Sequence, residues 1–595
     1  MSVVTPSLRA AIAVPGWAKN ELWRKARAVP SLDLRFADSK SLVDATTGSN
    51  LVTFTRASSG TYVDSEGVIR TATTNLLLSS EDLTVSPWNT VGSVTVTADS
   101  SQGLPFTGAS VYRVDYSVAG DSLSHSFTYL ATNYTASIRV KGTAGETIRF
   151  AGQSTFEAED YTLTGEWQHL TQAWTATAAT RSFTLNTSVG ATARTIYVAA
   201  PQLEQSTTVG EYIPTTSTIN SAPRFDHDPT TGESLGLLVE EQRMNSFEWS
   251  NSATQGETWN NVGTILNLAS GQSDPAGGTA GIRATDANSV SAGTFIQRTS
   301  LTNLTASTTV TYSVWLKPID CPNDVITLNV FANTTTDAIN AAFSVSGTAI
   351  TAASTSTSGT GAASGASFEA FPNGWYRCRL TGVPSTVTMA DVRARIDLGS
   401  YQRAAGTARF DWYGSQLESG AFATSYIPTS GAAATRNTDV ASITGSAFSG
   451  WYRQDEGTVF VDCKVIGDNG SNQFIYSISD GALGDEIRLF KPSTNSSITN
   501  GIEDSVDGTT NNIFANANTP FDQSFKTAYA FANNYASRAA NGLASEVDNS
   551  VTVPSVNQIR IGARMNGTFY SNLYLSRLTY WPQHLADSTL QQITQ

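Results

Sequence analysis

An internal repeat limits the possible folds more than any other feature of the chain. Residues 134–142 read YTASIRVKG, with GEWQHLTQAW at 165–174 and IYVAAPQLEQSTTVGEYIPT at 196–215. A second run reads YSVWLKP at 312–318, NGWYRCRLTG at 373–382 and FDWYGSQLESGAFATSYIPT at 410–429. In the closing block Gln202, Leu203 and Glu204 match Gln416, Leu417 and Glu418, and Tyr212, Ile213, Pro214 and Thr215 match Tyr426, Ile427, Pro428 and Thr429, at the same spacing. Two copies of one domain follow. In YSVWLK, Tyr312, Val314 and Leu316 face one way, and Ser313, Trp315 and Lys317 face the other. Tyr134, Ala136 and Ile138 repeat that order. One dry and one wet face predict antiparallel sandwiches, at residues 79–217 and 246–432. The second copy has extra sequence at about 321–370. Its core, SGTAITAASTSTSGTGAASGAS, is so small-residued that it predicts a long surface hairpin or mobile loop.

Composition agrees with an all-β chain of several sandwich modules in tandem. Charged residues are 14% of the chain, against about 25% in an average domain, and Ser, Thr, Asn and Gly fill the difference. That leaves little for long helices and much for strands and turns. A chain of 595 residues exceeds one core, so roughly three to five domains are expected. The net charge of −14, with no basic stripe, predicts no nucleic-acid partner. No window reaches membrane-spanning length, so no membrane insertion is expected, and no signal peptide is indicated.

Two hairpin signatures flank the first copy. GTYVDSEGVIRTA at 60–72 turns through Asp64–Gly67, and PRFDHDPTTGESLGLLVEE at 223–241 turns through DPTTG. They predict a collar built from 31–78 and 218–245, with the first copy inserted between its halves. A third sandwich is expected at 433–595, from strands such as EGTVFVDCKV at 456–465, QFIYSISD at 473–480 and EIRLFK at 486–491. Asp587 is placed to cap a short terminal helix. Residues 1–30 form a locally basic arm carrying Trp17 and Trp23, with a short helix from about Lys19 to Ala28. The arm either packs on the first domain or attaches to a partner.

Catalytic and metal chemistry is sparse. Cys321, Cys378 and Cys463 are too few and too scattered for a disulfide framework, so buried thiols are expected. The four histidines, His125, His169, His227 and His584, show no ligand spacing. Asp226 and Asp228 flank His227, but DHDPTTG reads more simply as a turn. No cofactor is implied. Calcium is permitted at Glu204 and Glu418, where a buried salt bridge or a solvated rim fits equally, and nothing specifies the ion. No paired carboxylates, zinc cluster or nucleotide loop marks an enzyme.

Sugar rings bind where an aromatic face covers their C–H surface beside polar groups. The candidate glycan-contact residues are therefore Trp315, Trp375, Trp412 and Trp167. Trp315, among the polar residues of its strand, is the clearest exposed platform. Trp375 and Trp167 occupy a position shared by both copies, which favours core. Trp412 shares strand parity with Phe410, which also favours burial. Tyr212 and Tyr426 read as hydrogen-bonded residues at a domain exit.

Residues 32–75, LDLRFADSKSLVDATTGSNLVTFTRASSGTYVDSEGVIRTATTN, resemble a segment recurrent in bacteriophage structural proteins, and PRFDHDPTTGESLGLLVEEQRMN at 223–245 looks like its usual continuation. The repeated modules resemble carbohydrate-binding-module-like jelly rolls. The block from Glu456 to Gln592 is similar to a concanavalin A-like or laminin-G-like domain. These resemblances imply a virion appendage, a tail fibre or head fibre, made in the host cytoplasm and carried on the particle exterior. Its partners would be other virion proteins, further copies of itself in a homo-oligomer such as a trimer, and host surface polysaccharide. The alternatives are a structural spacer or decoration protein, and a polysaccharide depolymerase.

Overall fold

The computed structural model describes residues 20–595, apart from 154–157, 188–192, 253–259, 263–265, 287–294, 302–303, 322–323, 333–335, 388–391, 398–405, 493–498, 505–508, 515–518 and 544–545. The first 19 residues of the expected arm, with Trp17 and Lys19, lie outside the described residues. The described chain is a multidomain all-β protein of three two-sheet units.

The largest unit, here called the body, is built from three stretches of sequence. Its 8-stranded sheet runs Arg224–His227, Ser234–Val239, Leu573–Trp581, Glu456–Val465, Ser524–Ala532, Tyr535–Ala540 and Glu546–Asp548, with Leu32–Leu34 also paired to Leu573–Trp581. Its 7-stranded sheet begins at Thr53–Thr55 and continues through Val440–Thr444 and Gln558–Ile561 to Gln473–Ser479. Leu34, Phe54, Leu237, Val461 and Ile559 share one core. Residues 31–78 and 218–245 therefore do not stand apart as a collar, because their strands complete the sheets of 433–595. Strands of three to six residues bury too little surface to hold a sheet alone, so they close a larger one. The hairpin of Thr61–Val63 and Ile69–Thr71 lies outside both sheets, and it pairs as the sequence predicts.

Module 1 packs two 5-stranded sheets and module 2 two 6-stranded sheets. Each leaves the body through a neck of two short strands. Thr74–Asn75 pairs with Asn220–Ser221 below module 1, and Arg243–Asn245 pairs with Ala434–Arg436 below module 2. One asparagine organises each neck. Asn75 Nδ2 donates to the carbonyls of Pro201 and Ile213, and its Oδ1 accepts from the N–H groups of Leu77 and Leu203. Asn245 makes the same four bonds, to Ser415, Ile427, Phe247 and Leu417. The repeated motif supplies the rest of this clasp. Gln202 bonds Glu204 and the Ile213 N–H, as Gln416 bonds Glu418 and the Ile427 N–H. Ser80 and Thr215 exchange side-chain and main-chain bonds, as Ser250 and Thr429 do. Glu204 and Glu418 are thus acceptors inside the clasp. Tyr212 and Tyr426 hydroxyls pair with Ser80 and Ser250.

Strand register corrects the repeat in one place. Ser137 pairs with Gln202 and Ser313 with Gln416, and a bulge follows each. Arg139, not Ser137, is therefore the counterpart of Trp315. A slip of two residues keeps every side chain on its face, so alternation alone does not reveal it.

The small-residue run of module 2 is ordered. Ala349–Ser358 pairs with Asp337–Ser346, and Ala362–Phe371 pairs with Trp375–Val383, so the small-residue run forms the edge strands of both sheets. At the N-terminal end the helix is Glu21–Ala26, shorter than expected, with Asn20 Oδ1 as cap. Its Leu22, Trp23 and Ala26 pack on Trp581, Leu590 and Ile593 of the body, not on the first module. Trp23 Nε1 donates to buried Asp33 at 2.9 Å, which also holds Arg577. Asp587 is the first residue of the last helix rather than its cap, and accepts from the Tyr535 hydroxyl. The three cysteines are buried thiols.

Candidate functional site

Where module 2 meets the body, the two share a buried ionic hub. Asp439 receives Arg56 at 2.7 Å and Arg224 at 2.5 Å, while Glu240 receives Arg224 at 2.7 Å and Arg436 at 3.0 Å. Burial pushes the Glu240 carboxyl up, but Arg436 and Arg224 outweigh it and hold it down to about 2. Glu240 also accepts from the Ser425 N–H and hydroxyl, which fastens the 421–426 loop of module 2. Glu240 is therefore fully engaged as an anchor.

Above the hub lies a cavity of about 570 Å³ with walls from three sources. The hairpin gives Val63 and Ile69, the body gives Asp226, His227, Lys464 and Tyr574, and module 2 gives Trp315, Glu369, Phe371, Arg377 and Arg379. Ser364, Gly365, Ala366 and Ser367 of the small-residue edge strand line it too, and large side chains there would fill it.

The aromatic wall is set by burial. Trp315 is 1% exposed and meets Phe371 edge-on at 5.7 Å and Tyr426 at 5.4 Å, with the Arg377 guanidinium 4.6 Å over its ring. It is not the exposed platform that its polar strand neighbours predict. That face of the strand is covered by Ile69 and Val63, from a hairpin some 250 residues earlier by number. Trp375 is buried in the same cluster, outside the sandwich core. Trp412 is 0% exposed in the module 2 core with Phe410, as parity suggests. Trp167 is half-buried, 140 residues or more away in sequence, and packs with Tyr197 on module 1. The structure thus brings Trp315 and Trp375 together and separates Trp412 and Trp167 from them.

The polar wall is unevenly satisfied. Arg379 is matched by Glu369. Arg377 spends both of its hydrogen bonds from Nη2, on the Thr424 carbonyl at 2.7 Å and Ser313 Oγ at 3.2 Å. Its Nε, Trp315 Nε1 and His227 Nε2 are buried without a hydrogen-bond partner. His227 Nδ1 lies 3.1 Å from the Val63 carbonyl, which accepts only, so the neutral ring leaves Nε2 as an acceptor. Two donors and one acceptor therefore border one cavity. Leaving such a group unmet costs about 1–3 kcal/mol each. Asp226 accepts from the Val63 N–H at 2.5 Å, and burial pushes its carboxyl up to about 7. Burial also raises the Tyr574 hydroxyl, with Asp226 beside it adding to the effect. Asp228 caps its own turn through the N–H groups of Thr230 and Thr231, as DHDPTTG suggests. No group of three or more His, Cys, Asp or Glu side chains converges as a metal site among the described residues. Among them, too, no helix is long and apolar enough to cross a membrane.

Sequence reasoning missed Arg377, His227 and Asp226 as cavity residues. Nothing local marks them, because the cavity forms only when hairpin, body and module 2 meet. The asparagines of the necks were legible in principle, since Asn75 and Asn245 hold equivalent places ahead of the two copies.

No protein-family model matches the chain, and no curated protein matches it. Among solved structures it is similar to the CBM40 of the Ruminococcus gnavus IT-sialidase bound to α2,3-sialyllactose, at 16% identity over 24% of this chain and 84% of that one, with a TM-score of 0.22. The CBM22-1–CBM22-2 tandem of Paenibacillus barcinonensis Xyn10C matches at 17% identity over 58% of this chain and 97% of that one, with a TM-score of 0.22. A SAP-like pentraxin from Limulus polyphemus matches at 13% identity over 24% of this chain and 71% of that one, with a TM-score of 0.19. Likenesses this weak say nothing of ligand or activity.

Proposed function

We propose that the chain is a non-enzymatic saccharide-binding protein whose ligand seat is the cavity between module 2, the hairpin and the body. The observation that carries this reading is the set of unmet groups at Trp315, Arg377 and His227 beside an aromatic and apolar wall. A sugar hydroxyl both donates and accepts, so it can meet His227 Nε2 and a nearby N–H together, while its C–H face takes Ile69 and Phe371. The finer reading is an exterior adhesion protein of a bacteriophage particle, a tail or head fibre. It rests on the resemblance of residues 32–75 and 223–245 to phage structural proteins. On that reading the chain assembles with virion proteins and with copies of itself, as in a trimer, and binds host surface polysaccharide. Many weak sites per particle would give firm attachment.

The test is a polysaccharide and oligosaccharide panel on the full chain, followed by calorimetry of His227→Ala against the unaltered protein. Binding that His227→Ala weakens by about tenfold, about 1.4 kcal/mol, is expected. No binding across the panel overturns the reading. A second reading, a structural spacer, is favoured by the burial of Trp315, Trp375 and Trp412. It gains if the panel is silent while the chain still binds other proteins of a particle.

A further inference from the structure

Arginines around the junction come in two kinds. Arg56, Arg224, Arg436 and Arg379 each meet a carboxylate of Asp439, Glu240 or Glu369. Arg377, 7% exposed, has no carboxylate within ion-pairing distance among the described residues. Its guanidinium lies on the Trp315 ring, and Nε faces no partner. A buried cation with no directly paired anion is costly, because desolvation is repaid best by a well-placed counter-charge. Burial lowers its pKa to about 10, with Arg379 adding to the effect and Glu418 and Glu369 opposing it from beyond ion-pairing distance, so it stays charged at neutral pH.

From this we infer that the cavity is built for an acidic saccharide, one carrying a carboxylate on the sugar ring, with that carboxylate received by Arg377. The inference rests on the saccharide reading above and names the ligand's charge. Planar guanidinium and planar carboxylate suit each other, and the second unmet donor, Trp315 Nε1, belongs to the ring beneath the guanidinium. Arg379, paired with Glu369, and Lys464, 5.9 Å from the Tyr574 ring, add further positive charge to the lining. Five carboxyl groups also line the cavity, Glu240 and Glu369 held by arginines and Asp226, Asp228 and Asp522 outside any ion pair among the described residues, so a doubly charged phosphate would meet more repulsion than a single carboxylate. His227 Nε2 takes a neighbouring ring hydroxyl. The wall of Ser364, Gly365, Ala366 and Ser367 leaves room for a pyranose, and about 570 Å³ lies within the range of small-ligand sites, about 300–1,000 Å³.

The experiment is titration calorimetry of the full chain with oligogalacturonate, oligomannuronate and hyaluronan oligosaccharides, each beside its carboxyl-reduced counterpart, with a sulfated galactan as a further arm. At least one acidic member is expected to bind about tenfold or more tightly than its reduced form, and to weaken as salt rises. Arg377→Lys, which keeps charge and stem, should reduce that preference severalfold. Arg377→Met should abolish it, with near-ultraviolet circular dichroism reporting whether the Trp315 cluster is intact. If Arg377→Met unfolds, Arg377→Lys and the acid-against-reduced comparison still decide. Equal affinity for acidic and reduced forms, or sulfate esters bound better than every carboxylate, overturns the carboxylate assignment and leaves the saccharide reading standing. Binding by no acidic and no neutral saccharide overturns both.

Discussion

Modules 1 and 2 rise from the body on necks of the same design, with Asn75 and Asn245 making equivalent bonds, yet the outer faces of their sheets meet different fates. In module 2 that face carries Trp315, Trp375 and Tyr413, all buried with Ile69 of the hairpin. In module 1 the counterparts of Trp315 and Tyr413 are Arg139 and Ala199, while Trp167 answers to Trp375. Arg139 and Trp167 are only half-buried. Module 2 is also fastened below by the Arg56, Arg224 and Arg436 hub, whereas the neck of module 1 meets it through hydrogen bonds of Arg56 to Asn220 Oδ1 and the Ala222 carbonyl, and its strands join through neutral Thr74 and Ser221, bonded to each other at 2.7 Å. One fold thus serves as a docked wall in one place and a free-standing unit in the other. The choice is made by a few outward side chains.

The largest expected effect comes from breaking the dock. Asp439→Ala strands Arg56 and Arg224 in a dry interior and should cost about 3–5 kcal/mol. Urea unfolding followed by limited proteolysis should show the body and module 2 loosened together and module 1 unchanged. Next, Asn75→Ala and Asn245→Ala each orphan two carbonyls and two N–H groups, for about 3 kcal/mol. The two should move different calorimetric transitions, module 1 for the first and the main one for the second. If both shift the same transition, the two modules are not separate folding units.

An effect of comparable size depends on pH. Asp226 sits near 7 in the fold against roughly 3.9 in an unfolded chain, so the unfolded chain releases that proton first as pH rises. Its contribution to stability therefore declines between about pH 4 and 7, by at most about 1.4 kcal/mol per pH unit, and is level above that. Glu240, held near 2, works the other way, and its contribution is lost as pH falls below about 4. Asp226→Asn should flatten the decline toward neutrality in a pH series of thermal melts. The smallest effect is Trp167→Ala on the open face of module 1, about 1 kcal/mol. Trp375→Ala, at the docked equivalent, should cost about 3–5 kcal/mol. Similar losses at both sites would erase the distinction between the faces.

Strand content, the repeat and both hairpins were legible because they depend on neighbours in sequence. Alternation in YSVWLK correctly sorted Tyr312 and Val314 into the sandwich core. It could not tell whether the other face meets water or protein, and so misplaced Trp315. LDLRF at 32–36 shows the same limit: its alternation would place Asp33 outward, yet Asp33 is buried between Trp23 and Arg577. The small-residue run looked unable to pack. It is ordered because Thr and Ser suit edge strands, and the larger side chains of the neighbouring strands supply the apolar contact. The cavity was out of reach altogether, since Val63, His227, Trp315 and Tyr574 come together only through the tertiary fold.

The body's first strand, Leu32–Leu34, hydrogen-bonds to Leu573–Trp581. During translation that partner leaves the ribosome roughly half a minute to two minutes after the strand that needs it, at about 5–20 residues per second. Both inserted modules have emerged whole by then and can fold as each appears. The unit that carries them must wait, its edges unpaired, until Leu573–Trp581 has been made.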